Sequence, residues 1–309
     1  MVERLRDALR AVRSRLARTA TLCAIGAIRD NGVLPSHIAF VMDGNRRYAD
    51  TYGKNPIHGH VCGYGTLLDV LRYCLMLQVS TVSVYAFSID NYTRSDEEVG
   101  LLMRLMEEKL GELEKEAPRL REEGVKVRVL GDLSLAPRGV QEAARRVMEA
   151  TEGNGKCVLN VMFSYTASEE LVRAGRRCAR QCSDLSGPCG GQGHVDDHLY
   201  AIEDVDLLIR TSGECRLSDF MLRQCRCCVL HFSKQLWPDF GLMDLLEGVM
   251  AYQRQVGAVV KARDVLGRAK AQIGLEAAYC VGNRVVKGKQ QEGRRSPSSV
   301  LSVDDDSDE

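Results

Sequence analysis

The chain has 309 residues, of which 45% are hydrophobic and 27% are charged, enough for one large or two ordinary domains with a sizeable core. Its formal net charge is zero, so no overall positive field favours nucleic acid, and we expect no nucleic-acid partner. No apolar run approaches the ~20 residues of a transmembrane helix, and we expect no secretory signal because the first apolar stretch comes late and is interrupted.

Residues 1–30 are predicted to form a basic amphipathic helix. Leu5, Leu9, Val12 and Leu16 recur at helical spacing with arginines between them. Arginines crowded on so short a segment favour contact with an anionic membrane surface, so we expect peripheral membrane binding. The alternative is that the apolar face of this helix covers the protein's own core.

A short buried strand from Ile38 to Val41 comes next, because four apolar residues are too few for a helix. The strand leads into a polar cluster, Asp43-Gly44-Asn45-Arg46-Arg47. A carboxylate beside arginines at the carboxyl end of a strand favours a magnesium-assisted diphosphate site. The alternative is a surface turn with solvated charges.

The remaining elements alternate between strands and helices, without a repeat. Further strands are predicted at Val82–Phe87, Val125–Leu130, Cys157–Phe163, Asp206–Ile209 and Val229–Phe232. Helices are predicted near 60–78, from a Ser95–Glu98 capping box to about Arg121, over 138–150, from Ser168, and roughly over 241–263. The pattern predicts one α/β domain over residues 31–265, with a mostly parallel six-stranded sheet flanked by helices.

Two segments lack such a pattern. Residues 183–197 are rich in glycine and polar residues, which predicts a flexible surface insertion. Within the C-terminal extension, residues 266–309, the stretch from Lys287 to Glu309 is polar and predicted to be disordered.

Three polar clusters follow predicted strands: Asp43–Tyr48, Ser88–Arg94 and Arg210–Ser218. Parallel strands bring their carboxyl ends to one rim, so the three clusters should meet there. The rim would hold a set of basic side chains, namely Arg46, Arg47, Arg94, Arg210, Arg216 and His60. So many arginines indicate more than one anionic group, and two diphosphates fit. Asp43 is placed to hold Mg²⁺, which takes one or two carboxylates plus phosphate oxygens.

Leucine and methionine stripes on two predicted helices could line an apolar cleft beside this rim. The stripes comprise Leu67, Leu68, Leu71 and Leu75 on one helix and Leu101, Leu102, Leu105, Met106, Leu110 and Leu113 on the other. Ordinary core packing is the alternative explanation for both stripes.

The twelve cysteines are irregularly spaced and are interpreted as reduced cytosolic thiols. The cluster from Cys225 to Cys228, with Cys215 nearby, is a weak zinc candidate because it does not contain the two CxxC pairs typical of a zinc site.

Four stretches resemble the signature regions of cis-prenyltransferases, and the pattern is nearer to eukaryotic dehydrodolichyl diphosphate synthases than to bacterial undecaprenyl diphosphate synthases. They are His37–Tyr48, Tyr85–Arg94, Arg210–Phe220 and Leu236–Phe240, in the family's order, within about residues 35–260. The resemblance implies that an allylic diphosphate such as farnesyl diphosphate accepts successive isopentenyl diphosphates, each adding a cis double bond. The implied product is a long-chain polyprenyl diphosphate, the dolichol precursor, made with Mg²⁺ at the cytosolic face of the endoplasmic reticulum membrane.

The resemblance also implies roles for individual residues. Asp43 matches the family's magnesium-binding aspartate, which assists departure of the allylic diphosphate. Positions around that diphosphate are matched by Gly44, Asn45, Arg46, Arg47, Tyr48 and His60. Asn91 matches a residue proposed for proton abstraction, with Ser88, Asp90, Tyr92 and Arg94 beside it. The isopentenyl diphosphate site is matched by Arg210, Arg216 and Ser218.

The chain departs from the family pattern at four positions. Pro56 stands where an arginine is usual, and Lys54 or His58 would have to compensate for it. Val229 replaces the metal-binding glutamate of bacterial members, so Asp43 is expected to be the only protein carboxylate on Mg²⁺. Asp90 replaces a usual glutamate and Arg223 a usual tryptophan.

The resemblance implies either a homodimer or a heteromer with a homologous accessory subunit. Eukaryotic relatives of this type pair a catalytic chain with a subunit that supplies an Arg-x-Gly tripeptide near its C-terminus. Residues 260–309 contain no Arg-x-Gly, which favours a heteromer. Two other functions remain as alternatives: a non-catalytic or regulatory subunit of the same fold, and a phosphatase with Asp43 as nucleophile. The phosphatase lacks a second aspartate, because Asn45 occupies that position.

Overall fold

A computed structural model describes residues 19–184 and 195–292 of the chain. Its strands are β1 His37–Val41, β2 Thr81–Ser88, β3 Val125–Leu130, β4 Cys157–Tyr165, β5 Leu207–Arg210 and β6 Val229–Phe232. They form one six-stranded sheet in the order β3-β4-β2-β1-β5-β6, and every neighbouring pair is parallel. The predicted α/β fold with its parallel sheet is confirmed.

Eight helices surround this sheet in the described part of the chain. They are α1 over residues 19–30, α2 Asn45–Thr51, α3 Pro56–Met76, α4 Asp96–Lys115, α5 Ala117–Glu123, α6 Arg138–Ala150, α7 Ala167–Asp184 and α8 Leu242–Glu292. All five residues of β1 are buried, as expected for a central parallel strand with both faces covered. No helix in the described ranges is long and apolar enough to cross a membrane.

Several helix boundaries differ from the sequence prediction for local reasons. The helix α3 begins at Pro56, because the Asn55 side chain caps its first turn by accepting a hydrogen bond from the Ile57 amide at 3.0 Å. The single helix predicted up to Arg121 is two helices that meet at Glu116, because Pro118 cannot continue the hydrogen bonding of α4. The short helix α2 was not predicted.

The C-terminal part of the chain also differs from its prediction. The helix α8 does not end near residue 263 but continues to Glu292, so it includes the first residues of the segment predicted to be disordered. Residues 293–309 and 185–194 lie outside the described residues, and the predictions of disorder and flexibility there stay predictions.

The helix α1 contacts the protein's own core. Ile25 is only 3% exposed, and Ala24 and Ile28 pack against the same apolar cluster. The Gln253 side chain on α8 donates a hydrogen bond to the Ile28 carbonyl at 2.9 Å. The alternative in which an apolar face covers the core therefore holds for this part of the predicted helix. Residues 1–18 lie outside the described residues, and membrane contact through them stays a prediction.

The sheet topology creates a crevice at the carboxyl end of β1. Phe40 of β1 pairs with Val84 of β2 on one side, and Val41 pairs with Arg210 of β5 on the other. The chain leaves β1 towards β2 and reaches β5 only after β4, so strand order reverses at β1. Ligands of open α/β sheets bind at such a reversal, outside the carboxyl ends of the strands.

Candidate active site

The three polar clusters meet at this crevice, as the sequence predicted. They surround the mouth of a cavity of about 470 Å³. The predicted site residues that line it are Asp43, Asn45, Arg46, His60, Ser88, Asp90, Asn91, Arg94, Arg210, Arg216 and Ser218. A cavity of this size is within the ~300–1,000 Å³ range of pockets that bury small ligands.

Asp43 is held at the mouth of the cavity by contacts from β5. Its Oδ2 accepts a hydrogen bond from Arg210 Nη2 at 2.9 Å, and its Oδ1 accepts one from the Gly44 amide at 2.7 Å. Its backbone amide donates to Thr211 Oγ1 at 2.9 Å, and the Thr211 hydroxyl donates to the Asp43 carbonyl at 2.7 Å. The carboxylate is therefore fixed in position before any substrate arrives.

The surroundings of Asp43 keep it ionised. Burial alone would raise the pKa of its carboxyl group. The hydrogen bond and charge of Arg210, the Gly44 amide and the charge of Arg47 outweigh burial, so the pKa lies below its ordinary value. Arg47 Nη2 lies 3.6 Å from Asp43 Oδ1.

Three glycines let the backbone after Asp43 approach its neighbours closely. Gly44 has φ of 104°, and a Cβ there would lie 2.9 Å from Leu236 Cδ2. A Cβ at Gly59 of α3 would lie 1.9 Å from the Asn45 carbonyl oxygen, and one at Gly63 would lie 2.3 Å from Asn45 Oδ1. Helix α3 thus packs directly against the turn that holds the Asp43 carboxylate.

Asn45 stabilises the turn from within. Its Nδ2 donates to the Met42 carbonyl at 3.1 Å, while its buried Oδ1 has no hydrogen-bond partner within the described residues. The Trp237 indole on the far side of Gly63 donates to the Gly63 carbonyl at 2.8 Å. Trp237 belongs to the fourth signature stretch. This stretch therefore stabilises the packing around the turn and brings no charged side chain to it.

Glu98 organises two of the rim arginines, a role that its position in a capping box concealed. Arg94 Nη1 donates to Glu98 Oε1 at 2.9 Å, and Arg46 Nη1 lies 3.6 Å from the same oxygen. Only half of the predicted capping box forms: Ser95 Oγ accepts from the Glu98 amide at 3.3 Å, while the Glu98 carboxylate turns to the arginines. One carboxylate thus holds together two cations that would otherwise repel each other.

His60 lies beside these arginines in its neutral form. Burial and then the positive charges of Arg94 and Arg46 lower the pKa of its imidazole to about 4, although Glu98 opposes them. Its Nε2 is buried and has no partner within the described residues. A neutral imidazole with one free nitrogen can bind a phosphate oxygen or a water without adding charge.

The cluster after β2 folds into a turn of 3₁₀ helix, Ile89–Thr93. Ser88 Oγ accepts from the Asp90 amide at 3.1 Å, and Asn91 Oδ1 accepts from the Ser88 amide at 3.1 Å. This reciprocal capping orients the Asn91 amide at the cavity wall.

Four predicted site residues do not line the cavity. The Tyr92 hydroxyl shares a 2.6 Å hydrogen bond with Ser164 Oγ, and the Tyr48 ring packs on Tyr52 at 4.9 Å between centroids. Both tyrosines therefore serve the structure around the site. Gly44 and Arg47 lie directly behind Asp43, where Arg47 donates to Ser212 Oγ at 2.5 Å.

The loop after β5 carries the other basic side chains. Arg210 is only 3% exposed, and its Nη1 donates to Ser218 Oγ at 2.7 Å and to the Arg216 carbonyl. Arg216 is 63% exposed and pairs with Glu214. Arg210 is thus fixed by buried hydrogen bonds, while Arg216 is exposed at the mouth of the cavity.

Below the charged mouth the cavity is apolar, and most residues of both stripes line it, although Leu75 and Leu101 do not and Leu75 packs against the main core cluster. Its walls come from the sheet and from α3 and α4, through Leu67, Leu68, Leu71, Leu102, Leu105, Met106, Leu110 and Leu113. One polar contact on the wall was not predicted: Lys109 Nζ lies 5.2 Å from the centroid of the Tyr64 ring and pairs with Glu112 at 2.7 Å. This contact joins α3 to α4 across the cleft.

The departures from the family pattern have local structural roles. Pro56 occupies the first turn of α3, and neither Lys54 nor His58 lines the cavity, so neither replaces the missing arginine there. Val229 is buried in the main apolar cluster. Arg223 pairs with Asp196 and lies 3.6 Å from Asp204, away from the rim.

The donor set fits Mg²⁺ in one binding mode only. The described residues contain no group of three or more acidic, histidine or cysteine side chains arranged for a metal. Each oxygen of Asp43 accepts one hydrogen bond and keeps a further lone pair. Mg²⁺ commonly binds through one carboxylate together with substrate phosphates and water, and Asp43 suits that mode.

Comparison with known proteins agrees with this geometry. A family model described as putative undecaprenyl diphosphate synthase matches residues 41–258. A dehydrodolichyl diphosphate synthase complex subunit of Mus musculus is 40% identical over 273 residues, which cover 85% of this chain and 80% of the mouse protein. A tritrans,polycis-undecaprenyl-diphosphate synthase (geranylgeranyl-diphosphate specific) of Methanocaldococcus jannaschii is 36% identical, covering 73% of this chain and 82% of the archaeal one.

Solved structures show the same likeness. Lavandulyl diphosphate synthase from Lavandula x intermedia, in complex with dimethylallyl diphosphate, superposes with a TM-score of 0.66 at 28% identity. A probable undecaprenyl diphosphate synthase from Campylobacter jejuni superposes with a TM-score of 0.59 at 27% identity. Each comparison covers 71% of this chain and 95% of the solved one.

Proposed function

This chain belongs to the undecaprenyl diphosphate synthase-like family of cis-prenyltransferases, and on that premise we propose how its site makes a long-chain polyprenyl diphosphate, the dolichol precursor. The substrates are isopentenyl diphosphate and an allylic diphosphate of the farnesyl type. The observation that carries the proposal is an ionised Asp43 fixed by Arg210 between two groups of basic side chains, at the mouth of an apolar cavity.

The allylic diphosphate binds on the side of Arg46, Arg94 and neutral His60. Charge develops on its leaving diphosphate as the allylic C–O bond breaks, and guanidinium groups placed beforehand stabilise that charge. Asp43 would hold Mg²⁺, which when bound neutralises the departing diphosphate. Because Glu98 already pairs the two arginines, little rearrangement is needed when the anion arrives.

Isopentenyl diphosphate binds on the side of Arg210, Arg216 and Ser218. Arg216 is exposed enough to swing towards the second diphosphate, while Arg210 and the Ser218 hydroxyl are fixed by each other. Asn91 is assigned to the proton-abstraction step. A neutral amide is a weak base, so Asn91 orients the group that loses the proton and does not itself keep the proton.

The apolar cavity receives the hydrocarbon chain as it grows. Its leucine-rich walls between α3, α4 and the sheet exclude water from the hydrocarbon chain. Each added isoprene unit buries further apolar area there, which is favourable. The charged mouth keeps both diphosphates at the rim, so growth directs the chain inwards.

Incorporation of radiolabelled isopentenyl diphosphate into extractable lipid tests this function. We expect label in long polyprenyl products when an allylic starter is supplied, and only background label without the starter. Release of phosphate without lipid label would indicate the phosphatase. No incorporation, alone or with a homologous subunit added, would indicate a regulatory chain.

Peripheral membrane binding at the cytosolic face of the endoplasmic reticulum is the second part of the proposal. It rests on the arginines of residues 1–18 and on a product that is itself a membrane lipid. The test is sedimentation of the full chain with phosphatidylserine vesicles at low and high salt. Binding should weaken with salt and with replacement of Arg4, Arg6, Arg10, Arg13, Arg15 and Arg18 by glutamine. Binding unaffected by either change would rule out these arginines as the membrane contact.

The third part of the proposal is a heteromer with a homologous accessory subunit. The absence of Arg-x-Gly from residues 260–309 supports it. The proposed metal site also relies on the single carboxylate of Asp43, so groups from a second chain would complete the coordination of the diphosphate. A homodimer that uses its own rim is the alternative.

A further inference from the structure

The turn that leads into β6 contains a pair of cysteines for which the proposed function has no use. Cys225 and Cys228 stand at CxxC spacing, and both are free thiols in the structure. Cys225 is only 8% exposed, whereas Cys228 is half-buried. Cys225 is thus the more shielded of the two residues.

The backbone holds the two cysteines at disulfide-forming distance. The Cys228 amide donates to the Cys225 carbonyl at 3.3 Å, which closes a four-residue turn. In such a turn the first and last Cα atoms lie within ~7 Å, and disulfides span ~4.4–6.8 Å between Cα atoms. The closed turn therefore places the two cysteines within reach of a disulfide.

Neighbouring contacts fix this turn in place. The Gln224 side chain donates to the Ala201 carbonyl at 2.8 Å and to buried Glu170 at 3.1 Å, and the Gln224 carbonyl accepts from the Val205 amide at 2.9 Å. Between the two cysteines, Arg226 pairs with Asp204 at 3.1 Å. These contacts therefore hold the residues before and within the turn in place.

The electrostatics distinguish the two sulfurs. Interaction with the Cys225 thiol lowers the pKa of the Cys228 thiol, and burial of Cys228 opposes this shift. The backbone amides of Cys228 and Leu208 and the charge of Arg263 lower the same pKa further. The pKa of Cys225 is raised by the same interaction and by burial. Cys228 is therefore the more readily ionised thiol and the expected nucleophile of the pair.

Zinc does not explain this cluster. No group of three or more cysteine, histidine or acidic side chains suited to a metal occurs among the described residues, although Cys227 is adjacent. Two thiols with different acidity in a fixed turn are instead suited to thiol–disulfide exchange.

We propose that Cys225 and Cys228 form a redox-active dithiol that low-molecular-weight disulfides such as glutathione disulfide oxidise to an intramolecular disulfide. The Cys228 thiolate attacks one sulfur of the disulfide R–S–S–R, forms a mixed disulfide and expels R–S⁻. Cys225 then loses its proton to solvent, attacks Cys228 Sγ and expels the second R–S⁻. The protein gives up two electrons and two protons, and R–S–S–R is reduced to two R–SH.

Tryptic mapping of the full chain after equilibration in glutathione redox buffers tests the proposal. Trypsin cuts after Arg226, so a Cys225–Cys228 disulfide links peptide 224–226 to peptide 227–234. We expect this linked pair in the wild type and in Cys227→Ala, the matched control. Cys225→Ala should stop at a glutathione adduct on Cys228, and Cys228→Ala should form neither.

Melting temperatures of all four proteins show whether each variant is folded before it is compared. Loss of the linked peptides in Cys227→Ala with retention in Cys228→Ala would move the bond to Cys227 and overturn the assignment. The proposal would also be overturned if the wild-type protein kept both thiols free in buffers that fully oxidise a control thioredoxin-type dithiol.

Discussion

Arg210 Nη2 lies 2.9 Å from Asp43 Oδ2, although 167 positions separate the two residues along the chain. This contact joins the loop after β1 to the end of β5. It therefore also links the two groups of basic side chains that are proposed to bind the two diphosphates. The same arginine holds Ser218 at 2.7 Å, so one buried guanidinium orients groups on both sides of the cavity mouth.

Replacing Asp43 by alanine should nearly abolish turnover, because it removes the carboxylate proposed to hold Mg²⁺. We expect activity below a tenth of the wild type, a loss of more than ~1.4 kcal/mol of transition-state stabilisation. Isopentenyl diphosphate incorporation measures the effect. Asp69→Ala on the exposed face of α3 is the control and should keep full activity. A well-folded Asp43→Ala protein with more than a tenth of wild-type activity would contradict the assigned role.

Arg216→Ala should raise the KM for isopentenyl diphosphate more than the KM for the allylic substrate. Because Arg216 is exposed and pairs only with Glu214 among the described contacts, its loss should leave stability within about 0.5 kcal/mol of the wild type. Steady-state kinetics with each substrate varied in turn measure both constants. Arg138→Ala on the outer face of α6 should change neither. An equal rise in both constants would remove Arg216 from the isopentenyl site.

Arg210→Ala should act differently from Arg216→Ala, because Arg210 is buried and bonded to Asp43, Ser218 and the Arg216 carbonyl. We expect the same preferential rise in the KM for isopentenyl diphosphate, together with a fall in kcat and a loss of ~3–5 kcal/mol in stability from the unpaired partners. Urea unfolding and steady-state kinetics measure these effects. A variant as stable as the wild type would show that the contact with Asp43 contributes little to the fold.

His60 should make the protein less stable as pH falls below neutral. Its folded-state pKa of about 4 lies below the ordinary 6.5, so the unfolded chain takes up the proton first. Stability is therefore full above pH ~6.5 and falls towards pH 4, by about 2 kcal/mol at pH 5. Urea unfolding at pH 7.5 and pH 5 measures the slope. His60→Gln should reduce it, though buried His37 has a lowered pKa too and adds a slope of the same sign.

Gly59→Ala and Gly65→Ala should have opposite effects, although both lie in α3. Alanine favours a helix by ~1 kcal/mol over glycine, and a Cβ at Gly65 would meet no other atom within 4 Å, so Gly65→Ala should stabilise the protein. A Cβ at Gly59 would lie 1.9 Å from the Asn45 carbonyl oxygen, which forces the Asp43 turn to move. We expect Gly59→Ala to lose both stability and turnover, as urea unfolding and isopentenyl diphosphate incorporation would measure. Equal stability of the two variants would show that the close approach is not needed.

Sequence reasoning located the rim because strand ends are visible in the sequence: Asp43, Arg94 and Arg210 each follow an apolar run. It could not separate Arg46, Arg47 and Tyr48, because the helix α2 that carries them was not predicted. Successive residues of a helix point ~100° apart, so only Arg46 lines the cavity while Tyr48 turns to Tyr52. The role of Glu98 was hidden because a capping signature already accounted for it.

The position of β1 between β2 and β5 determines when the protein can complete its sheet during synthesis. One edge of this fully buried strand pairs with β2 soon after it is made, but the other edge waits for Leu207–Arg210. Until then the nascent chain carries an apolar strand with an open row of backbone amides and carbonyls, which invites pairing with other chains. Asp43 and Arg210 therefore first meet only after Leu207–Arg210 has been made, late in translation.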